Sequence, residues 1–288
     1  MMFDEIISLC CMEDANTWKI ASSEIVKKIP AKKYTVIVPD ESVQYFQSIS
    51  DGQYQVEPES LYSNNYKHKL LAAISPEVKT QHHWYLQQLI KLSALEMRPA
   101  NQNILIWDGD TVPLKTLNFF SASGNLRYYL GVEKHTPYFD TIERLLGIAK
   151  QTPLSFIAQN FPINTSWFRD FCQHIENKSN LCWSDAILTA IDFSKPNSFS
   201  EYETLGTFIF SRYKDQVELN ERSWQRHGNS LIGSIELLDT RYANRVLADF
   251  DYVSFEKWDR LKPHFTKVVL PILAHKILKK IASSYPSK

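Results

Sequence analysis

The residues best placed to do chemistry are Asp108 and Asp110, which flank Gly109 in the run Ile104-Leu105-Ile106-Trp107-Asp108-Gly109-Asp110-Thr111-Val112-Pro113-Leu114. The apolar stretch reads as a buried strand, and Asp-Gly-Asp falls where that strand leaves the core. Two carboxylates one residue apart can face one hard cation if the backbone bends, and Gly109 permits the bend. A Mg²⁺ or Mn²⁺ held this way keeps open positions, which typically go to phosphate oxygens.

The elements that must position this motif alternate. Residues 6–11 read as a strand, 15–29 as a helix stopped by Pro30, 34–38 as a β-branched strand, 42–49 as a helix and 53–56 as a short strand. A strong helix over 82–95 leads into the Asp-Gly-Asp strand. Beyond it, 126–130 and 155–158 read as strands, and 138–149, 166–175, 183–191 and 201–213 as helices, so the last third is rich in helix. This rhythm predicts an α/β fold with a mostly parallel sheet and right-handed crossovers. The economical division is one domain over 1–250, its nucleotide-side half about 1–120 and its second half about 121–250, with a helical extension over 251–288 packed on it.

A net charge of zero and a pI near 7.1 provide no global field to recruit nucleic acid. Met1-Met2-Phe3-Asp4-Glu5 carries acid where a secretory leader would carry Lys or Arg, and no apolar run approaches the roughly 20 residues of a membrane span. Cys10, Cys11, Cys172 and Cys182 lack metal-ligand spacing, so the expectation is reduced thiols and a cytoplasmic protein, with Cys10 and Cys11 in the core. Residues 251–288 carry eight Lys/Arg against three Asp/Glu, with Ile272, Leu273, Ile277, Leu278 and Ile281 interleaved among His275, Lys276, Lys279 and Lys280. This is either a basic amphipathic helix resting on an anionic membrane, a peripheral contact, or a surface helix with solvated lysines.

Several segments in order carry a family pattern: Trp84-Tyr85-Leu86-Gln87-Gln88-Leu89-Ile90-Lys91-Leu92, Ile106-Trp107-Asp108-Gly109-Asp110-Thr111-Val112, Ser155-Phe156-Ile157-Ala158-Gln159, Asn164-Thr165-Ser166 and Ser200-Glu201-Tyr202-Glu203. Together, over roughly 4–230, they resemble a poorly characterised family of bacterial GT-A-type glycosyltransferase-like proteins often found with surface-polysaccharide genes. The resemblance implies a GT-A-like, Rossmann-type mixed sheet flanked by helices, with a D-x-D that holds Mn²⁺ or Mg²⁺ at the diphosphate. It makes Asp108 and Asp110 the metal and ribose–diphosphate residues. It also implies a UDP-, GDP- or CMP-sugar donor, a glycan or lipid-linked glycan acceptor, and a place in surface polysaccharide synthesis.

An inverting transferase of that kind needs a general base, and Glu201 and Glu203 provide two carboxylates. Ser200 and Glu203 also form the S-x-x-E capping box, which leaves Glu201 the freer. His227, late in Trp224-Gln225-Arg226-His227-Gly228, is a candidate third metal ligand or a solvated loop residue, and Arg226 is a candidate partner for the diphosphate. Asp14 and Asp40 each follow a strand on the nucleotide side and suit either base or ribose contact or a plain turn. Gln87, Gln88 and Lys91 either reach the donor or form a polar outer face.

Two other functions fit parts of the pattern. Asp108-Gly109-Asp110-Thr111-Val112 also matches the D-x-D-x-T-V nucleophile motif of haloacid-dehalogenase-type phosphatases. About a hundred structured residues precede it, however, and no later Gly-Asp-x-x-x-Asp is present. A non-catalytic binding module on a GT-A scaffold is the third reading. A sugar nucleotidyltransferase would need a glycine-rich loop near the first strand, where Leu9-Cys10-Cys11-Met12-Glu13 has no glycine.

Overall fold

A computed structural model describes residues 1–63, 66–74, 81–220, 223–260 and 274. The first half builds the sheet. β1 (Glu5–Leu9), α1 (Ala15–Lys28), β2 (Tyr34–Val38), α2 (Val43–Ile49) and β3 (Tyr54–Pro58) follow the alternation that apolar patterning predicts. Short helices α3 (Ser60–Ser63) and α4 (Lys67–Ala73) precede α5 (His82–Glu96), after which β4 (Asn103–Asp108) turns through Gly109 into β5 (Thr111–Pro113). There follow β6 (Leu126–Tyr129), α6 (Thr136–Leu146), β7 (Asn160–Asn164), α7 (Thr165–Ser179), α8 (Trp183–Ala190) and α9 (Glu201–Arg212). The last stretch holds β8 (Val217–Asn220), β9 (Trp224–Gln225), α10 (Gly228–Ile232), α11 (Arg241–Val246), β10 (Tyr252–Ser254) and α12 (Lys257–Arg260).

The central sheet runs β3-β2-β1-β4-β7. Its first four strands are parallel, and β7 runs antiparallel to β4. The architecture is therefore the expected mixed α/β sheet flanked by helices. All five residues of β2 are buried, as is the Ile104–Trp107 stretch of β4, which is the signature of strands covered on both faces.

Three expectations change. No regular strand forms over 155–158; Ser155 makes only an isolated bridge to Gly131. The edge strand is 160–164 instead, and Pro162 within it masks it in the sequence because proline is tolerated only where a ladder bond is dispensable. Second, α7 is opened by Asn164, whose side chain accepts from the Ser166 amide at 2.9 Å, rather than by Thr165 or Ser166. Third, the helix-rich last third also contributes strands: β8 pairs with β6, and β10 lies between β5 and β9. These have two to four residues each, too few for a period to show. Because Ser254 pairs with Thr111, the chain is still woven into the same body past residue 250. The basic helix expected around 272–281 lies outside the described residues, apart from Ala274.

Candidate active site

The chain runs from β1 outward to β2 and β3, then returns to lay β4 on the other side of β1. The carboxyl ends of β1 and β4 are thus a topological switch point, where the diverging connections leave a crevice. A cavity opens there, lined by Leu9, Cys10 and Cys11 at and just past the end of β1 and by Asp108, Gly109 and Asp110 at and just past the end of β4. Leu9 and Asp108 are register partners, and the Gly109 amide donates to the Leu9 carbonyl at 3.2 Å. A Cβ on Gly109 would sit 2.6 Å from that carbonyl. The chain turns at Gly109 as expected, but the backbone there is not left-handed; glycine is required for close approach between strands.

Lys91 organises the floor of the cavity. It comes from α5, a helix buried almost all round, so Gln88 and Lys91 are inward polar residues and not an outer face. The Lys91 Nζ donates to Asp108 Oδ1 at 2.7 Å, to Glu201 Oε1 at 2.7 Å and to the Tyr202 hydroxyl at 3.0 Å. Tyr202 donates in turn to Asp108 Oδ1 at 2.6 Å, and its ring stacks on Phe161. Burial alone would lower the Lys91 ammonium, but Asp108 and Glu201 hold it charged, well above the ordinary lysine range. Burial raises the Glu201 carboxyl above its usual range, against the pull of Lys91. Glu201 sits at the start of α9, its amide held by Gln88 Oε1 at 2.9 Å. Two residues that sequence patterning places on separate helices therefore meet on one carboxylate.

Asp110 faces the cavity from the other side of Gly109. Its carboxyl is pushed well up, first by burial and then by the charges of Glu256, Asp108 and Asp14. β10 brings Glu256 there: the Phe255 amide donates to the Asp110 carbonyl at 2.9 Å. Arg226 is held in the same wall between Glu133 Oε2 and Glu256 Oε1, at 2.7 Å each, and Gln159 also donates to Glu256. Glu133, Gln159, Tyr138 and Glu256 line the cavity, and of these only Gln159 stands in a segment of the family pattern. Tyr138 arrives on α6 and the others on loops, and only pairing of β10 with β5 makes Glu256, just after β10, visible as a neighbour of Asp110.

Of the residues singled out in the sequence, Asp14, Gln87, Gln88, Lys91, Asp108, Asp110, Glu201 and Arg226 line this one cavity. Asp40, Glu203 and His227 do not. Asp40 caps the turn at Ser60, accepting from its amide at 3.1 Å and from its hydroxyl. Glu203 is buried away from the cavity and accepts from Ser155 Oγ at 2.5 Å, the Phe156 amide at 2.9 Å and Lys150. Its amide bonds the Ser200 cap as the capping box requires, but its carboxylate ties down the 150–156 loop instead of returning to Ser200. His227 packs against Trp258 and lies 3.5 Å from Asp259 Oδ1, on a neighbouring cavity.

The donor set at the cavity is hard oxygen, which suits Mg²⁺ or Mn²⁺. Among the described residues no three His, Cys, Asp or Glu side chains are placed to hold an ion by themselves. The arrangement fits an ion held by one or two carboxylates and completed by phosphate oxygens. Asp108 gives one oxygen to Lys91 and Tyr202, and its other oxygen has no donor among the described residues. No helix among them is long and apolar enough to cross a membrane.

A family model described as a family of unknown function (DUF6492) matches residues 23–263. No curated protein matches the sequence. Among solved structures, mouse xyloside xylosyltransferase 1 in its apo form aligns over 88% of this chain and 98% of its own, with TM-score 0.48 and 10% identity. The galactosyltransferase LgtC, in complex with donor and acceptor sugar analogs, aligns over 87% of this chain and 86% of its own, with TM-score 0.47 and 12% identity. At these values the likeness assigns neither substrate nor residue roles.

Proposed function

Because the chain belongs to DUF6492, a family of unknown function, we propose its function from its own site: a divalent-metal-dependent glycosyltransferase, moving a sugar from a nucleoside-diphosphate donor to a hydroxyl of a glycan or lipid-linked glycan. One observation carries the reading. An acidic pair, Asp108 and Asp110, stands at the β1/β4 switch point, where open α/β sheets bind nucleotides.

In this reading Asp110 and the second oxygen of Asp108 would hold Mn²⁺ or Mg²⁺. The ion, when bound, neutralises charge on the leaving group. Lys91 and Tyr202 hold one oxygen of Asp108 and leave the other for the cavity. Arg226 pairs with phosphate oxygens in exchange for one of its two carboxylates. The bond between the sugar's anomeric carbon and the diphosphate breaks as the acceptor oxygen bonds that carbon. In an inverting transfer Glu201 takes the hydroxyl proton, and its burial brings its affinity for that proton nearer to what a general base needs.

The test is thermal stabilisation by UDP, GDP and CMP with and without Mn²⁺. One nucleotide should raise the melting temperature only with the ion, and Asp110→Asn should abolish that shift and cut sugar transfer at least a hundredfold. Failure of all three nucleotides, or an unchanged shift in Asp110→Asn, overturns the reading.

A further inference from the structure

The opposite end of the strands carries a second cavity of about 420 Å³, in the size range of small-ligand sites. It lies at the amino end of β4 and the carboxyl end of β7, about 17 Å along β4 from Asp108 at ~3.3 Å per residue. No Asp, Glu, Lys or Arg lines it, although 22% of the chain is charged. Its polar lining consists of amides and hydroxyls, and the asparagine amides are fixed in place. Asn101 Oδ1 accepts from Ser166 Oγ at 2.7 Å, and Asn103 Oδ1 accepts from Asn164 Nδ2 at 3.1 Å. Asn125 Nδ2 donates to the Asp215 carbonyl at 3.0 Å. Asn101, Asn103 and Asn125 are therefore each oriented by one bond with the other end spare, while Asn164 uses both ends. The Nδ2 groups of Asn101 and Asn103, the Oδ1 of Asn125 and the exposed amide of Gln216 have no partner among the described residues. Trp167, stacked on Tyr213, supplies an apolar margin.

We propose that this cavity binds a neutral, hydroxyl-rich saccharide, a glycan-holding site separate from the cavity at Asp108. A sugar hydroxyl both donates and accepts, so it satisfies pre-oriented donors and acceptors standing side by side, whereas an anion would find no cation and a cation no carboxylate. Fixing the amides in advance removes the ordering cost of binding. The assignment of a glycan as ligand rests on the transferase reading. The site would hold a long acceptor while its end reaches the chemistry at the carboxyl end of β4.

The test is calorimetric titration of the full chain, without nucleotide or divalent ion, using neutral hexasaccharides of glucose, galactose, mannose and N-acetylglucosamine, with hexagalacturonate as the charged control. At least one neutral hexasaccharide should bind and hexagalacturonate should not. Asn103→Ala should weaken binding about tenfold, and Ser123→Trp, at an exposed position on the rim, should abolish it by filling the groove. Should Asn103→Ala fail to fold, Ser123→Trp decides alone. Binding by none of the neutral sugars, equal binding of the uronate, or undiminished binding in the variants overturns the proposal. Because neither nucleotide nor ion is present, this result is independent of the nucleotide test and the two readings can fail separately.

Discussion

At the residue scale, the decisive group is a lysine. Lys91 is the one cation that the described residues place on Asp108 and Glu201 together, and both carboxylates are largely withdrawn from water. Removing one member of a buried ionic cluster leaves the others uncompensated, at a cost of roughly 3–5 kcal/mol. Lys91→Met should therefore lower stability by about that amount in urea denaturation. Adding Glu201→Gln should recover part of the loss without restoring transfer. If Lys91→Met unfolds at the wild-type midpoint, the cluster is not stabilised as described. Gly109 is a different kind of requirement: the gap it leaves beside the Leu9 carbonyl sets the distance between the two strand ends that frame the cavity.

At the element scale, α9 is the part most tightly constrained. Ser200 caps it, Glu201 and Tyr202 reach the cavity, and Glu203 ties the 150–156 loop from one turn. Gly206, one turn on, lets Phe156 of that loop pack against the helix backbone; a Cβ would stand 2.1 Å from Phe156 Cγ. Gly206→Ala should cost about 1–3 kcal/mol through overpacking. Most of that cost should vanish in a Phe156→Ala background, where the two changes would be strongly non-additive in a double-mutant cycle. Simple additivity would show that the close packing is not what the glycine serves. Glu203 explains why a helix with two first-turn carboxylates uses only one at the cavity: the other is consumed holding the loop that precedes β7.

At the scale of the whole molecule, the sheet is pinned by a second buried cluster away from the candidate site. Glu5 accepts from Arg98 Nε at 2.7 Å and Nη2 at 3.0 Å and from Thr35 Oγ1 at 2.5 Å, joining β1, β2 and the chain after α5. Burial works to raise its carboxyl, but the bonds from Arg98 and Thr35 outweigh it and hold the group below its ordinary 4.5. A carboxyl depressed in the folded state adds stability above its unfolded value, and that stability is lost as pH falls through the folded value. Melting temperature should therefore fall as pH drops below about 4.5. Glu5→Gln should be less stable at pH 7 by roughly 3–5 kcal/mol, with a shallower acid slope. Parallel acid slopes in wild type and variant would remove Glu5 from the account.

The sequence by itself determined the elements and the acidic pair. The β-branched run 34–38, the apolar run ahead of Asp108 and the long helix before it each bury enough continuous apolar surface for local patterning to dictate their form. The Asp-Gly-Asp was legible because its spacing lies within three residues. Only the tertiary structure decided which other side chains join that pair. Lys91, Glu201, Glu256 and Arg226 are 17 to 148 residues away along the chain from Asp108; the capping box favours Glu201 over Glu203, but nothing in the sequence ranks Lys91, Arg226 or Glu256 above Asp40 or His227. Strand order decides it: laying β4 beside β1, and β10 beside β5, brings one set to the crevice and turns the other toward a turn, a loop and a neighbouring cavity. Pairing across the sheet is a long-range choice settled by packing, and periodicity along the chain carries no record of it.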